Sequence, residues 1–145
     1  MHVAVEGERL RTQFAGAPRV ALGASLGSNE AVFEFDSSLL DSGGFNWVTV
    51  VRFMRVLDFR FFDFELGLED QMTNSGDLEY CLIEIIDSGL VRAFVATGAL
   101  RRTAVPIVAE EDLRHYRIAF DDHGIYDVVC LGVELGGRRV NTRST

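Results

Sequence analysis

Ser25 lies in one of two segments whose residue types and spacing could support catalysis. The segment Gly23-Ala24-Ser25-Leu26-Gly27 matches the G-x-S-x-G motif, in which a serine on a sharp strand-to-helix turn acts as a nucleophile. The residues that follow, 30–36, alternate between polar and apolar types as a strand does, so the helix that the motif requires is missing. We therefore interpret Ser25 as part of a strand end and turn.

The second segment combines histidines with carboxylates, which are the groups used for metal binding and acid–base catalysis. Its members are His115, Asp121, Asp122, His123 and Asp127. The register of a hairpin could bring both histidines together, but their spacing matches no metal motif, and 121–124 has the composition of a polar turn. We favour the turn. Whether His115, His123, Asp121 and Asp127 form a site with a histidine as general base stays open.

Two further groups of carboxylates fail as functional motifs. Residues 69–79 have the composition of a calcium loop, but Gly76 comes one place late and the twelfth position counted from Asp70 is Cys81. Asp63 and Glu65 would lie about 7 Å apart on one strand face, as in a glycosidase, but exposed strands commonly carry such outward acids. The motifs therefore indicate no catalytic residue, no metal and no cofactor.

Charge is more informative than any motif. The chain has 14 basic and 22 acidic residues, a net charge of −8, and every basic residue is arginine. Residues 58–91 contain nine acids and one arginine, so this quarter of the chain carries nearly all of the net charge. Such a field repels phosphate backbones and attracts cations. We expect no nucleic acid and no membrane among the partners, and a basic protein instead.

The predicted function is a non-catalytic protein-binding module, with an acidic inhibitor or an immunity-type protein as the model. Proteins of that kind cover the basic active site of a toxic enzyme, and the analogy rests on size and charge alone. We expect the acids of 58–91 to gather on one solvent-facing patch. The predicted partner-binding residues are Asp58, Asp63, Glu65, Glu69, Asp70, Asp77, Glu79, Glu84 and Asp87.

The elements that must position these residues follow from short segments of period-two alternation bounded by Gly, Asn, Asp and Ser. They predict a mainly β fold: an antiparallel sandwich, a partly closed barrel or a strongly bent sheet of about eight to ten strands with one or two short helical turns. The segment 47–57 fits a helix or a strand, and its β-branched residues favour the strand. The apolar phase flips between Phe61 and Phe62, which predicts a β-bulge, and strand length predicts a break within 55–62.

The second half of the chain predicts two hairpins. In the first, 80–86 and 90–97 flank the loop Asp87-Ser88-Gly89. In the second, 116–120 leads through a turn into 125–135. Between them, 101–108 could form an edge strand with Pro106, and 109–114 reads as a single helical turn.

Length and composition predict one globular domain over residues 1–135, followed by a basic, flexible tail over 136–145. No secretory leader or membrane span is evident, so we expect a cytoplasmic protein. Cys81 and Cys130 stand alone in apolar runs, which predicts buried, reduced thiols.

Two alternative functions remain open. A β-barrel carrier of a small apolar ligand would use the phenylalanines as a cavity lining, although a plain core is the interpretation that we favour. A structural self-assembling subunit, a homo-oligomer, would pair through exposed edge strands. The phenylalanines in question are Phe53, Phe59, Phe61, Phe62, Phe64 and Phe94.

Overall fold

In a computed structural model of the chain, the segments with alternating apolar residues form strands that pair into two antiparallel sheets. The structure describes residues 2–4, 17–25, 28–40, 45–63, 82–98, 109–120 and 123–141. Within these ranges the elements in chain order are β1 (His2–Ala4), β2 (Arg19–Ser25), β3 (Ser28–Leu40), β4 (Phe45–Met54), β5 (Asp58–Asp63), β6 (Leu82–Ile85), α1 (Gly89–Ala96), a 3-10 turn (Glu110–Asp112), β7 (Arg114–Phe120), β8 (Gly124–Cys130) and β9 (Gly132–Asn141).

The two sheets pack face to face as a sandwich, which confirms the predicted mainly β fold. One sheet has the order β2-β3-β4-β9, and the other has four longer strands with the three-residue β1 added at one edge, β1-β6-β7-β8-β5. In the described part of the chain the two ladders stay separate and do not close into a barrel. The barrel required by the carrier alternative is therefore not the observed architecture.

Strands β3 and β4 show why alternation predicts this fold. Ala31, Phe33 and Phe35 point into the core, while the residues between them are half-buried, and Phe33 pairs with Val51 across the ladder. The ambiguous segment 47–57 is a strand as far as Met54, as its β-branched residues favour.

The chain passes from one sheet to the other at residues 55–57, inside the break predicted for 55–62. Arg55 takes a positive φ of 55° there, which turns the backbone sharply. The predicted β-bulge at Phe61 and Phe62 is wrong, because β5 pairs with β8 in an unbroken register from Asp58 to Asp63. Consecutive residues of a strand point to opposite faces, so Phe61 lies on the core side, opposite Tyr126, and Phe62 lies on the outer side. The apolar pattern flips there because both of these neighbours are apolar.

The first predicted hairpin is half wrong, since 90–97 contributes to helix α1 and not to a second strand. Ser88 caps this helix by accepting a hydrogen bond from the Val91 amide. The apolar residues of the segment recur at helical spacing, and the resulting stripe packs on the outer face of the five-stranded sheet. It consists of Leu90, Val91, Phe94 and Val95, which contact a cluster around Leu113 and Val129.

The remaining predictions on the second half differ in outcome. The helical turn in 109–114 is confirmed as the 3-10 turn, and β7 and β8 form the second hairpin. Residues 136–141, which the sequence placed in a flexible tail, form the end of β9 and pair with β4. The edge strand expected at 101–108 lies outside the described residues. No described helix has the length and apolar character needed to cross a membrane.

Aromatic rings fill the space between the sheets. The Phe33 ring packs edge-on against Phe53 and Tyr126, with centroid distances of 5.5 and 4.8 Å, and stacks on Phe120 at 6.3 Å. Phe59 lies beside the same ring at 6.1 Å. These five rings therefore pack together in the core, and Phe53 and Phe59 are among them.

The buried thiol of Cys130 borders this core. It is a free cysteine that donates a weak hydrogen bond to the carbonyl of Gly132 over 3.4 Å. Burial raises the pKa of the thiol to about 12. The expected buried, reduced thiol is confirmed for Cys130, and Cys81 lies outside the described residues.

Replacing Phe33 by alanine should lower the free energy of unfolding by about 3–5 kcal/mol, because the change removes a fully buried ring that contacts four others. Chemical denaturation measures this loss. The control is Leu22→Ala on β2, whose side chain is 65% exposed and should cost less than about 0.5 kcal/mol. Equal losses in the two variants would contradict the central place given to Phe33.

Candidate functional site

The candidate site lies on the outer face of the five-stranded sheet, beside the start of helix α1. Residues of β7 alternate, so that Tyr116 and Ile118 enter the core while His115 and Arg117 lie on the opposite face. The register pairs Arg117 with Asp127 of β8, which places a cation and a carboxylate side by side. The alternation of two strands therefore brings three polar side chains together under the helix.

These side chains form a hydrogen-bonded chain that ends at the helix cap. Ser88 Oγ lies 2.6 Å from His115 Nδ1, and His115 Nε2 lies 3.0 Å from Asp127 Oδ1. An ionised carboxylate only accepts hydrogen bonds, so Nε2 carries the proton and donates. In the neutral ring Nδ1 then accepts from the Ser88 hydroxyl, which in turn accepts from the Val91 amide over 3.1 Å.

Arg117 completes the chain at its other end. Its Nε donates to Asp127 Oδ1 over 2.8 Å and its Nη2 to Oδ2 over 3.1 Å, so both carboxylate oxygens are engaged. Burial alone would raise the pKa of Asp127, but the hydrogen bonds from His115 and Arg117 and the guanidinium charge outweigh burial and lower it. Asp127 is therefore a buried, ionised carboxylate in a fixed orientation.

A groove of about 500 Å³ opens onto the Ser88 end of this chain. Ser88 and His115 are among its lining residues, although the two are only 6% and 4% exposed. The lining contains four carboxylates and two guanidinium groups, together with apolar side chains of β6, α1 and the segment before β7. We call this the β6–α1 groove, and its charged residues are Glu84, Asp87, Glu110, Glu111, Arg92 and Arg114.

The groove has a net negative charge because its four carboxylates outnumber its two guanidinium groups, only one of which pairs with a carboxylate. Arg114 pairs with Glu84 at 3.5 Å, and Arg92 donates to the backbone carbonyl of Asp87 over 2.7 Å. Glu110 and Glu111 are exposed on the 3-10 turn and form no ion pair with any residue that the structure describes.

The predicted partner-binding acids do not all meet at this groove. Glu84 and Asp87 line it, whereas Asp58 belongs to β5 and pairs with Arg60 at 2.9 Å. By register, Asp58 lies on the outer face with Val129 but does not line the groove. Glu84 lies on the other face of the sheet, with Tyr116, and lines the groove from that side. Asp63 ends β5, but its side chain is not described, and the rest lie outside the described residues: Glu65, Glu69, Asp70, Asp77 and Glu79.

The histidine cluster predicted from sequence separates into two places. His123 lies in the β7–β8 turn, where its Nε2 is 2.8 Å from the Tyr126 hydroxyl, while His115 belongs to the buried chain. Asp121 and Asp122 lie outside the described residues. Among those that are described, no three His, Cys, Asp or Glu side chains form a group that could hold a metal ion.

Sequence reasoning rejected Ser25 as a nucleophile and did not consider Ser88. Ser25 ends β2 at a hairpin into β3, as expected from the missing helix, whereas Ser88 lies between a strand and a helix. The strand predicted for 90–97 concealed the position of Ser88 at the start of a helix. The sequence does contain a signal for that helix, an Asp-Ser-Gly segment followed by apolar residues at helical spacing.

Replacing Asp127 by asparagine should cost about 3 kcal/mol near neutral pH, because Arg117, with a side chain only 11% exposed, loses its buried partner. The folded-state pKa of Asp127 lies below its unfolded value, so the carboxylate stabilises the fold above about pH 4 and this contribution disappears as the pH falls through the folded-state pKa. Denaturation curves recorded from pH 7 downwards should therefore show the two proteins converging in stability.

Asp58→Asn is the matched control, because its ion pair with Arg60 lies at the surface and should contribute less than about 1 kcal/mol. A stability gap between Asp127→Asn and the parent protein that stays constant with pH would contradict the assignment.

The chain matches no protein-family model, no curated protein and no solved structure in the comparisons made with each. The candidate site therefore rests on its own geometry.

Proposed function

We propose that this protein is a binding module for a basic protein and that the β6–α1 groove is the docking site. The observation that carries the proposal is the pair of exposed carboxylates at the groove, Glu110 and Glu111, which no described cation neutralises. A net charge of −8 adds long-range attraction for a cationic partner.

The mixed lining of the groove suits an arginine or lysine side chain of the partner. The aliphatic stem of such a residue packs against apolar groups while its charged head reaches carboxylates. The groove offers Ile85, Val91 and Leu113 for the stem, and carboxylates at its rim for the head. Rim charges speed association, and a buried stem slows dissociation.

The acids predicted from sequence contribute unequally to this proposal. Glu84 and Asp87 belong to the docking surface, with Glu84 partly neutralised by Arg114. Asp58 is paired with Arg60 and lies away from the groove, so we assign it no role in docking. Asp63, Glu65, Glu69, Asp70, Asp77 and Glu79 stay predicted contributors to the negative field. Inhibition of a cytoplasmic enzyme with a basic active site is the form of binding that this charge favours.

Reversing one groove charge should weaken binding of a fluorescein-labelled nona-arginine peptide. We expect Glu110→Arg and Glu111→Arg each to raise the Kd about five- to tenfold, since an attractive pair becomes a repulsive one. Fluorescence anisotropy at low ionic strength measures the Kd, and added salt should weaken binding by the parent protein.

The control for that experiment is Glu134→Arg, which makes the same change in net charge on β9 of the other sheet. It should change the Kd less than twofold. An equal effect of all three variants would show that net charge alone attracts the peptide, and the groove would then lose its role.

Self-assembly is a second candidate function, which the edge strand β2 favours. Among the strands that the structure describes, β2 lies at the edge of its sheet. It has no charged residue between Arg19 and Ser25, and Leu22 is 65% exposed. An edge of this kind can pair with the same strand of a second copy.

A lysine at this edge should prevent such pairing. If β2 pairs between copies, Leu22→Lys should convert a dimer into a monomer in sedimentation velocity runs, because the new charge would be buried beside its symmetry mate. Leu135→Lys, on the opposite edge strand β9, is the control and should leave the dimer intact. A parent protein that stays monomeric at high concentration would eliminate this candidate.

A further inference from the structure

We propose that Ser88 is a nucleophile activated by His115 and that the β6–α1 groove is an acyl-transfer site for esters with a positively charged acyl group. This activity goes beyond binding, and only the charge preference rests on the function proposed above. Three observations support this assignment. Ser88, His115 and Asp127 are joined by hydrogen bonds, Ser88 lies between a strand and a helix, and the groove opens onto Ser88.

The contacts in the chain meet the requirements for an activated serine. A nucleophile and its base must lie within hydrogen-bonding distance, and a third group must orient the base. Ser88 Oγ and His115 Nδ1 are 2.6 Å apart, and Asp127 holds the other ring nitrogen at 3.0 Å. His115 faces the serine with Nδ1, whereas the histidine of the Ser-His-Asp triad of serine proteases faces it with Nε2. Such triads are recognised by the geometry and the roles of their members.

Asp127 is suited to stabilise the imidazolium that forms when His115 accepts a proton. Its two contacts with Arg117 keep it ionised and fix Oδ1 toward the ring. The guanidinium also neutralises part of the negative charge of the carboxylate. Because Arg117 acts by orienting Asp127, we assign it the role of a positioning residue.

The local fold places Ser88 where a nucleophilic serine is presented in other scaffolds, between a strand and a helix. Asp87, immediately before it, has a positive φ of 55°, which turns the backbone between β6 and α1. The first four amides of a helix have no intrahelical acceptor. The Ser88 hydroxyl accepts a hydrogen bond from the Val91 amide, and the Ser88 carbonyl accepts the first intrahelical hydrogen bond, from the Arg92 amide. The amides of Gly89 and Leu90 have no acceptor among the described residues, and we assign them the stabilisation of an oxyanion.

The reaction balances with an ester and water as the only reactants. Ser88 Oγ attacks the ester carbonyl carbon and gives its proton to His115 Nδ1, so that a C–O bond forms at the serine. The bond to the leaving alcohol then breaks, and His115 returns the proton to that oxygen. Water attacks the acyl-serine with His115 again accepting a proton, and the carboxylic acid leaves as Ser88 regains its hydrogen.

Four carboxylates in the groove lining indicate the charge preference of the acyl group. A guanidinium on the acyl side is the group that suits this lining when the ester carbonyl lies at Ser88. The probe is therefore p-nitrophenyl 4-guanidinobenzoate, with the uncharged p-nitrophenyl benzoate as its comparator.

The test measures a burst of p-nitrophenol and the intact mass of the protein after mixing with each ester. We expect a burst close to one equivalent, a mass increase that maps to Ser88, and acylation at least tenfold faster with the cationic ester. His115→Asn should slow acylation on the order of 100-fold, because the general base is lost.

Three serine variants separate chemistry from folding. Ser88→Ala removes the nucleophile and the helix cap, whereas Ser88→Asn removes the nucleophile but keeps a side-chain acceptor for the Val91 amide. Both should lose the burst, with Ser88→Asn retaining the circular dichroism of the parent. Ser25→Ala, in the G-x-S-x-G segment, should retain the full burst.

The outcomes distinguish this inference from the binding proposal. A folded parent protein that gives no burst and no adduct at Ser88 overturns the nucleophile, even if nona-arginine still binds. Equal acylation by both esters at Ser88 supports the nucleophile and counts against the charge preference of the groove.

Discussion

A buried carboxylate imposes the strongest constraint on the outer face of the five-stranded sheet. Asp127 is 5% exposed and ionised, and a charge in that position requires partners on every side. Arg117 comes from the neighbouring strand, and His115 extends the chain to Ser88, at the start of the helix. The contacts of one buried charge thus link two strands and tie the helix to the sheet.

The strands could be predicted from the sequence because each of them has a strong local pattern. Alternation in β3 and β4 follows directly from one buried and one half-buried face, and it needs no knowledge of distant residues. Helix α1 was missed because it begins within a sequence that also suits a hairpin loop, and because Val91 and Val95 favour strands. Packing against Leu113 and Val129 decides in favour of the helix, and that contact cannot be read locally.

The candidate site was less predictable than the fold, because its contacts span long stretches of chain. Ser88 and His115 are 27 residues apart, and the register that joins Arg117 to Asp127 depends on the β7–β8 turn. The count of charged residues predicts an acidic binding patch within 58–91, yet two of the acids of that segment, Asp58 and Glu84, are paired with arginines. Two acids outside that segment, Glu110 and Glu111, are exposed at the groove instead.

The Cys130 thiol reports on the integrity of the sandwich. Alkylating reagents react with the thiolate, and a thiol with a pKa of about 12 that is shielded from solvent supplies almost none of it at neutral pH. Modification of this cysteine therefore requires the structure around it to open first. The rate at which Cys130 is alkylated therefore measures how often the structure around it opens spontaneously. Each variant that retains Cys130 can be followed in this way without an added dye.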